Sequence, residues 1–181
     1  MRRFLDWLYL ASGALAAVFV AAICTIVLCQ VALNALDIIA VLLGYSAPGF
    51  VIPSYAEFAG LFLAAATFFA LAYSLRKGAH IRVSLLIGHL SGSRRKAFEL
   101  WAVFVGGCLS GIFTAYMFNL VYDSLRFGDV SIGLVLYEIW IPQLALALGL
   151  LVLSIAFIDE YVSILRGDEP SYDHDENLLS E

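Results

Sequence analysis

The sequence predicts an all-α integral membrane protein: four transmembrane helices, both termini cytoplasmic, with a short interfacial amphipathic helix between the second and third spans. Three observations lead there. Apolar residues make up 62% of the chain and charged residues 14%, with a mean hydropathy of +0.92. A soluble domain carries about a quarter charged and roughly half apolar residues, so a chain of this size must hide the excess in lipid. Four apolar runs are each long enough to cross a bilayer, and the basic residues fall almost entirely on one side of them.

The runs cover about 8–33, 58–75, 100–122 and 132–158. Each has about 18 residues or more, which at ~1.5 Å per residue spans a ~30 Å hydrocarbon core. In lipid only helices and closed barrels satisfy every backbone group, and continuous apolar runs exclude the alternation of barrel strands. Residues 1–166 therefore form one transmembrane domain. The tail at 167–181 carries six acids and no sustained apolar pattern, and is expected to be a disordered cytoplasmic segment.

The first run is too long for a signal peptide, nothing after it resembles a mature soluble domain, and it is expected to be an uncleaved anchor. The apolar stretch Ile38 to Leu43 either prolongs that helix or dips into the outer interface. Ser54-Tyr55-Ala56-Glu57 after Pro53 has the form of a capping box opening the second helix. Arg76 and Lys77 suit its last turn and Gly78 its end. From Val83, the spacing of Leu86, Ile87 and Leu90 favours a short helix in the inner interface. Ser93 is placed to cap the helix that carries the third span.

Orientation follows from the basic residues. Arg2, Arg3, Arg76, Lys77, Arg82, Arg94, Arg95, Lys96 and Arg166 lie on the side of the termini and the middle loop, and Arg126 alone lies opposite. This asymmetry places that side in the cytoplasm.

Chemistry-bearing constellations are scarce. The sequence contains no Gly-rich phosphate loop, metal-spaced His/Cys/Asp cluster or nucleophile elbow, so no catalytic residue, metal site or cofactor is expected. No basic cluster interleaved with aromatics points to nucleic acid. Cys24, Cys29 and Cys108 sit in apolar runs without CxxC spacing and are expected to pack as small hydrophobes. His80 and His89 fall in the basic loop and His174 in the tail, away from where a bundle would hold haem. Glu57, at the mouth of the second helix, either caps it or touches an ion, substrate or partner. Glu138 is expected just inside the fourth span, beside Trp140 and Pro142, as an interfacial acid or a partner contact. Gly107 and Gly111 give a small-xxx-small face, as do Gly60 and Ala64. Broken helices and midplane polar clusters, the marks of a solitary transport pathway, are lacking.

The stretch from Pro53 through His89 resembles the small (Q-type, DctQ-like) membrane subunits of tripartite ATP-independent periplasmic (TRAP) transporters. The resemblance lies in Glu57, a span rich in small residues and phenylalanine, and Arg76-Lys77-Gly78-Ala79-His80-Ile81-Arg82-Val83. A second patch runs from Ser131 to Gly149 with Trp140 and Pro142. The sequence departs from the family pattern at Ser84, where an acid is common, and at Glu138 and Ala147, where prolines often flank the tryptophan. The resemblance implies a fixed inner-membrane frame for a large elevator subunit, helping to dock a periplasmic substrate-binding protein, in sodium-driven uptake of an organic anion such as a carboxylate or sialic acid. It assigns substrate and sodium sites to the large subunit. It leaves Glu57, Arg76, Gly78, His80, Arg82, Glu138, Trp140 and Pro142 as candidate interface or structural residues, with lipid as the remaining contact. Two alternatives stay open: a haem- or quinone-binding anchor of a respiratory complex, and the small subunit of another binding-protein-dependent carboxylate carrier.

Overall fold

The computed structural model describes residues 2–76 and 93–166, with side chains described from residue 97 onward in the second stretch. Gly78, His80, Arg82, the stretch expected to be an interfacial helix, the Ser93 side chain and the acidic tail lie outside what is described. Four helices make up nearly all of the rest: α1 (Arg2–Leu42), α2 (Tyr55–Arg76), α3 (Ser93–Phe127) and α4 (Trp140–Arg166). All four are long and apolar enough to cross a membrane.

Glycines end two of them in the same way. α1 runs on through Ile38 to Leu42, and Gly44 then takes a φ of +82° while the Tyr45 N–H reaches back to the Ala40 carbonyl. After α3, Gly128 has a φ of +67° and the Asp129 N–H bonds the Ser124 carbonyl. Both are six-to-one closures that satisfy carbonyls left open by the helix end, in a left-handed conformation that favours glycine.

The helices are arranged as an open row rather than a closed bundle. α1 packs along α2, α2 along α4, and α4 along α3, while α1 meets α4 over a short stretch only. The outer helices are accordingly bare. Within the most apolar stretch of each helix, 11% of residues are buried in α1 and in α3, against 22% in α2 and 33% in α4.

Small residues set the seams of this row. Gly13 lies so close to the Tyr73 ring that a β-carbon there would sit 2.8 Å from it. Gly149 meets α2 still more tightly, since its β-carbon would fall 2.8 Å from the Phe68 Cβ and 3.3 Å from backbone atoms of Phe68 and Phe69. Ala65, Ala66 and Ala72 of α2 and Ala147 and Ala156 of α4 are buried as well. α3 turns a stripe of small polar residues inward: Ser110, Thr114 and Ser124 are buried, and Thr114 bonds Ser154 of α4 at 3.0 Å. Close approach and interhelical hydrogen bonds are what drive association where lipid competes for apolar surface.

Three expectations need correction. The fourth helix begins at Trp140, not Ile132, and residues 129–139 double back instead: Val130 pairs with Glu138 in an antiparallel bridge, the Ser131 N–H bonds the Tyr137 carbonyl and the Ile139 N–H the Asp129 carbonyl, and the chain bends at 133–135 between them. Around this bend Ile132, Leu134 and Leu136 are exposed while Gly133, Val135 and Tyr137 turn partly inward, a reversal that the unbroken apolar run conceals. The small-xxx-small pair is also split, because a β-carbon on Gly107 would meet Phe157 whereas, among the described residues, none from another element lies within 4 Å of one on Gly111 or Gly60. The three cysteines are exposed, lying on faces that none of the described helices covers.

Candidate functional site

Polar side chains gather at the two ends of the row, and each end is built by elements distant in sequence. At the first, α2 opens beside the doubled-back loop that leads into α4. Ser54 gives its carbonyl to the Phe58 N–H, yet its φ of +54° is not the extended conformation of a capping serine. Glu57 does not reach back to complete a capping box. Its carboxylate accepts the Tyr137 hydroxyl at 2.7 Å and crowds Gly133, where a β-carbon would collide with it. Burial, and then the bond to Glu57, push the Tyr137 phenol up from its ordinary value, so it remains a donor at neutral pH. Its ring also lies 5.5 Å from that of Phe58.

This loop is held by its own bonds. Ser131 Oγ donates to the Val135 carbonyl at 3.0 Å and accepts the Gly133 N–H at 3.2 Å. Glu138 precedes the fourth helix rather than lying inside the span, and its carboxylate accepts the Trp140 indole N–H at 2.6 Å. A costly intramembrane acid is thereby avoided. Pro142 stands in the first turn of α4, where a missing N–H leaves no helical bond unmade.

A cavity of about 210 Å³ opens between these elements, lined by Glu57, Ser131, Tyr137, Pro142 and Gln143 among others. The Oε1 of Gln143 is itself buried and has no hydrogen-bond partner among the described residues. On the neighbouring α1, Gln30 is buried, accepts the Ile52 N–H at 2.9 Å and donates to Asn34, while Asp37 accepts the Gly49 N–H at 3.0 Å. These bonds fold the 43–54 link back along the last turns of α1.

The opposite end gathers Arg76, Asp6, Tyr9 and Asp159. Arg76 lies 3.4 Å from Asp6 and 3.7 Å from Asp159, and the Tyr9 hydroxyl donates to Asp159 at 3.4 Å. Tyr9, 1% exposed, packs with Ala72, Val152, Leu153 and Ala156. One arginine thus ties α1, α2 and α4 together at the point where α1 meets α4.

Of the expected site residues, the structure brings Glu57 and Pro142 to one cavity, sets Glu138 against Trp140 beside it, and places Arg76 at the far end. Tyr137, Ser131, Asp6, Tyr9 and Asp159 were not anticipated. The two aspartates are acids near the ends of apolar helices, a signal that counting bases alone passes over. Among the described residues, no three His, Cys, Asp or Glu side chains group as a metal site would need.

This geometry fits a membrane component with its polar anchors at its ends. The sequence model of the tripartite ATP-independent periplasmic transporters, DctQ component, matches residues 40–167. The chain belongs to this family. DctQ components are transporter subunits and not enzymes, and this chain is a multi-pass membrane protein of that kind. It is 30% identical over 107 residues to the C4-dicarboxylate TRAP transporter small permease protein DctQ of Rhodobacter capsulatus. That stretch covers 59% of this chain and 47% of the relative, so the chain spans about half the relative's length. No solved structure matches it.

Proposed function

We propose that the chain is the small permease subunit of a TRAP-type secondary transporter in a bacterial inner membrane. In this reading it is a fixed frame for a large elevator subunit and helps dock a periplasmic substrate-binding protein, in sodium-gradient-driven uptake of an organic anion. The Arg76 end faces the cytoplasm with both termini, and the Glu57–Tyr137 end faces the periplasm. Substrate and sodium are held mainly by the large subunit. The substrate class would be a carboxylate or sialic acid, and the C4-dicarboxylate relative favours the former.

The observation that carries the reading is the open row. Helices in a closed bundle cover one another more fully, whereas in α1 and α3 only 11% of the residues in the most apolar stretch are buried. Trp101, Phe104, Phe113 and Tyr116 of α3 are each more than half exposed. Thr114 of α3 is bonded to Ser154 of α4, and the aromatic residues on the opposite face of α3 offer shape and area to whatever packs there.

Co-expression with the large subunit tests this. Photo-crosslinking residues placed in turn along the outer faces of α1 and α3, at Leu10, Val18, Trp101 and Phe113, should join the two subunits from at least one face. Failure to crosslink from either face, together with failure to co-purify, would remove the frame reading.

A further inference from the structure

α1 outruns the helix it packs against. Its Asp6 lies beside Arg76, the last residue of α2, and its Gln30 accepts the Ile52 N–H just before α2 begins at Tyr55. The 22 residues of α2 rise about 33 Å, which matches the ~30 Å core of a bilayer. α1 continues unbroken past Gln30 to Leu42, so residues 31–42 reach about 18 Å further. Headgroups occupy only about 5–8 Å on each side of the core, and the end of α1 therefore stands beyond them on the Glu57 side.

The return chain makes this extension a finger, helix outward and link back. Gln30 and Asp37 share one face of the helix, and their bonds to the Ile52 and Gly49 N–H groups lay the link on that face. Asp37 is the one charged residue from 31 to 54. The faces left over are apolar. Leu36, Ile38, Val41 and Leu42 of the helix and Tyr45 and Phe50 of the link are each more than half exposed. Lipid tails do not reach the far half of the finger, and a contiguous apolar surface in water marks a protein contact.

Composition distinguishes the kinds of partner. A surface bared each time a soluble protein leaves is about as polar as the rest of a protein's exterior, whereas an interface that never opens resembles a core cut in half. The finger is of the second kind. We propose that it seats permanently in an apolar, uncharged groove on the extramembrane face of the large membrane subunit, and is not the contact for a binding protein that comes and goes. The inference rests on the transport reading and adds a second interface, outside the bilayer, to the one along α1 and α3. Ile38 and Leu42, one turn apart, supply the anchors that helix-in-groove recognition needs.

The test is photo-crosslinking of the full chain co-expressed with the large subunit and the binding protein. A benzophenone amino acid is placed at Ile38 or Leu42, and at Leu10 or Trp101 to report association within the membrane. The finger positions should give an adduct with the large subunit, in a yield that the binding protein does not alter. In an Ile38→Asp, Leu42→Asp double variant, co-purification with the large subunit should weaken by about tenfold or more, because two apolar side chains are lost from the contact. The melting midpoint of the isolated double variant should match that of the unaltered chain, since both residues are exposed there. Adducts from Leu10 or Trp101 with none from the finger would overturn the proposal and leave the frame standing. So would finger adducts with the binding protein or a second copy of this chain, or undiminished co-purification of the double variant. Adducts from none of the four positions would remove both.

Discussion

The Tyr137 hydroxyl donates to the Glu57 carboxylate at 2.7 Å, joining the first turn of one helix to the segment before another, eighty residues along the chain. This bond fixes a doubled-back loop closed by a single antiparallel bridge between Val130 and Glu138. Hydrogen bonds to charged groups contribute about 1.5–3 kcal/mol, so Tyr137→Phe should cost an amount of that order. Thermal unfolding in detergent would show it as a lower midpoint, and Glu57→Gln should lose less because its amide oxygen still accepts.

The same bond has a pH signature. The phenol is raised above its ordinary value of 10.0 in the folded chain, by burial and then by Glu57. The folded state therefore holds the proton more tightly than the unfolded one. Its contribution is complete below the ordinary value and is lost as pH climbs through the raised one. The gap in midpoint between the unaltered chain and Tyr137→Phe should be flat from pH 7 to about 9 and narrow above about 10.

Gly149 and Gly111 should respond oppositely to one methyl group. A β-carbon at Gly149 strikes the α2 backbone, which cannot yield as a flexible side chain does, and nothing lies near Gly111. Gly149→Ala should destabilise by about 1–3 kcal/mol, the usual cost of overpacking. Gly111→Ala should be neutral or slightly stabilising, since alanine is the better helix former. Paired melting curves would decide.

Arg76→Ala removes the cation between Asp6 and Asp159, leaving two acids near each other and near Tyr9. The loss should exceed that of Tyr9→Phe, whose bond to Asp159 is long at 3.4 Å. Adding Asp159→Asn to Arg76→Ala should restore part of it, read from the same melting curves. Full stability in Arg76→Ala would show that packing of Tyr9 alone holds the α1–α4 contact.

Orientation is testable by labelling. The native cysteines are exposed and must first be replaced. A cysteine beside Gly92 should then react only from the cytoplasm and one near Ser46 only from the periplasm. Labelling of both from one side contradicts four spans.

Spans were legible in the sequence because a run of apolar residues longer than a bilayer is thick has few other uses. The start of α4 was not. Ile132 to Ile139 is largely apolar, and only a fold in which Gly133 backs onto Glu57 reveals that the chain reverses there. Pro142 was the available clue, since a helix begun at Ile132 would place proline deep in its interior. Arg76 was marked by its place at a helix end, but its partners, Asp6 and Asp159, lie on helices whose lateral order no local pattern encodes. The open row itself was illegible for the same reason: a lipid-facing surface and a partner-facing one have the same composition.

The frame reading is tested most directly in sodium-loaded and sodium-free liposomes. The purified chain alone should insert and accumulate no dicarboxylate under an inward sodium gradient. Adding the large subunit and the binding protein should start uptake that stops when the gradient is removed. Sodium-driven uptake by this chain alone, or uptake by the other two components at the same rate without it, would contradict the claim that it is the frame on which the transporter is built.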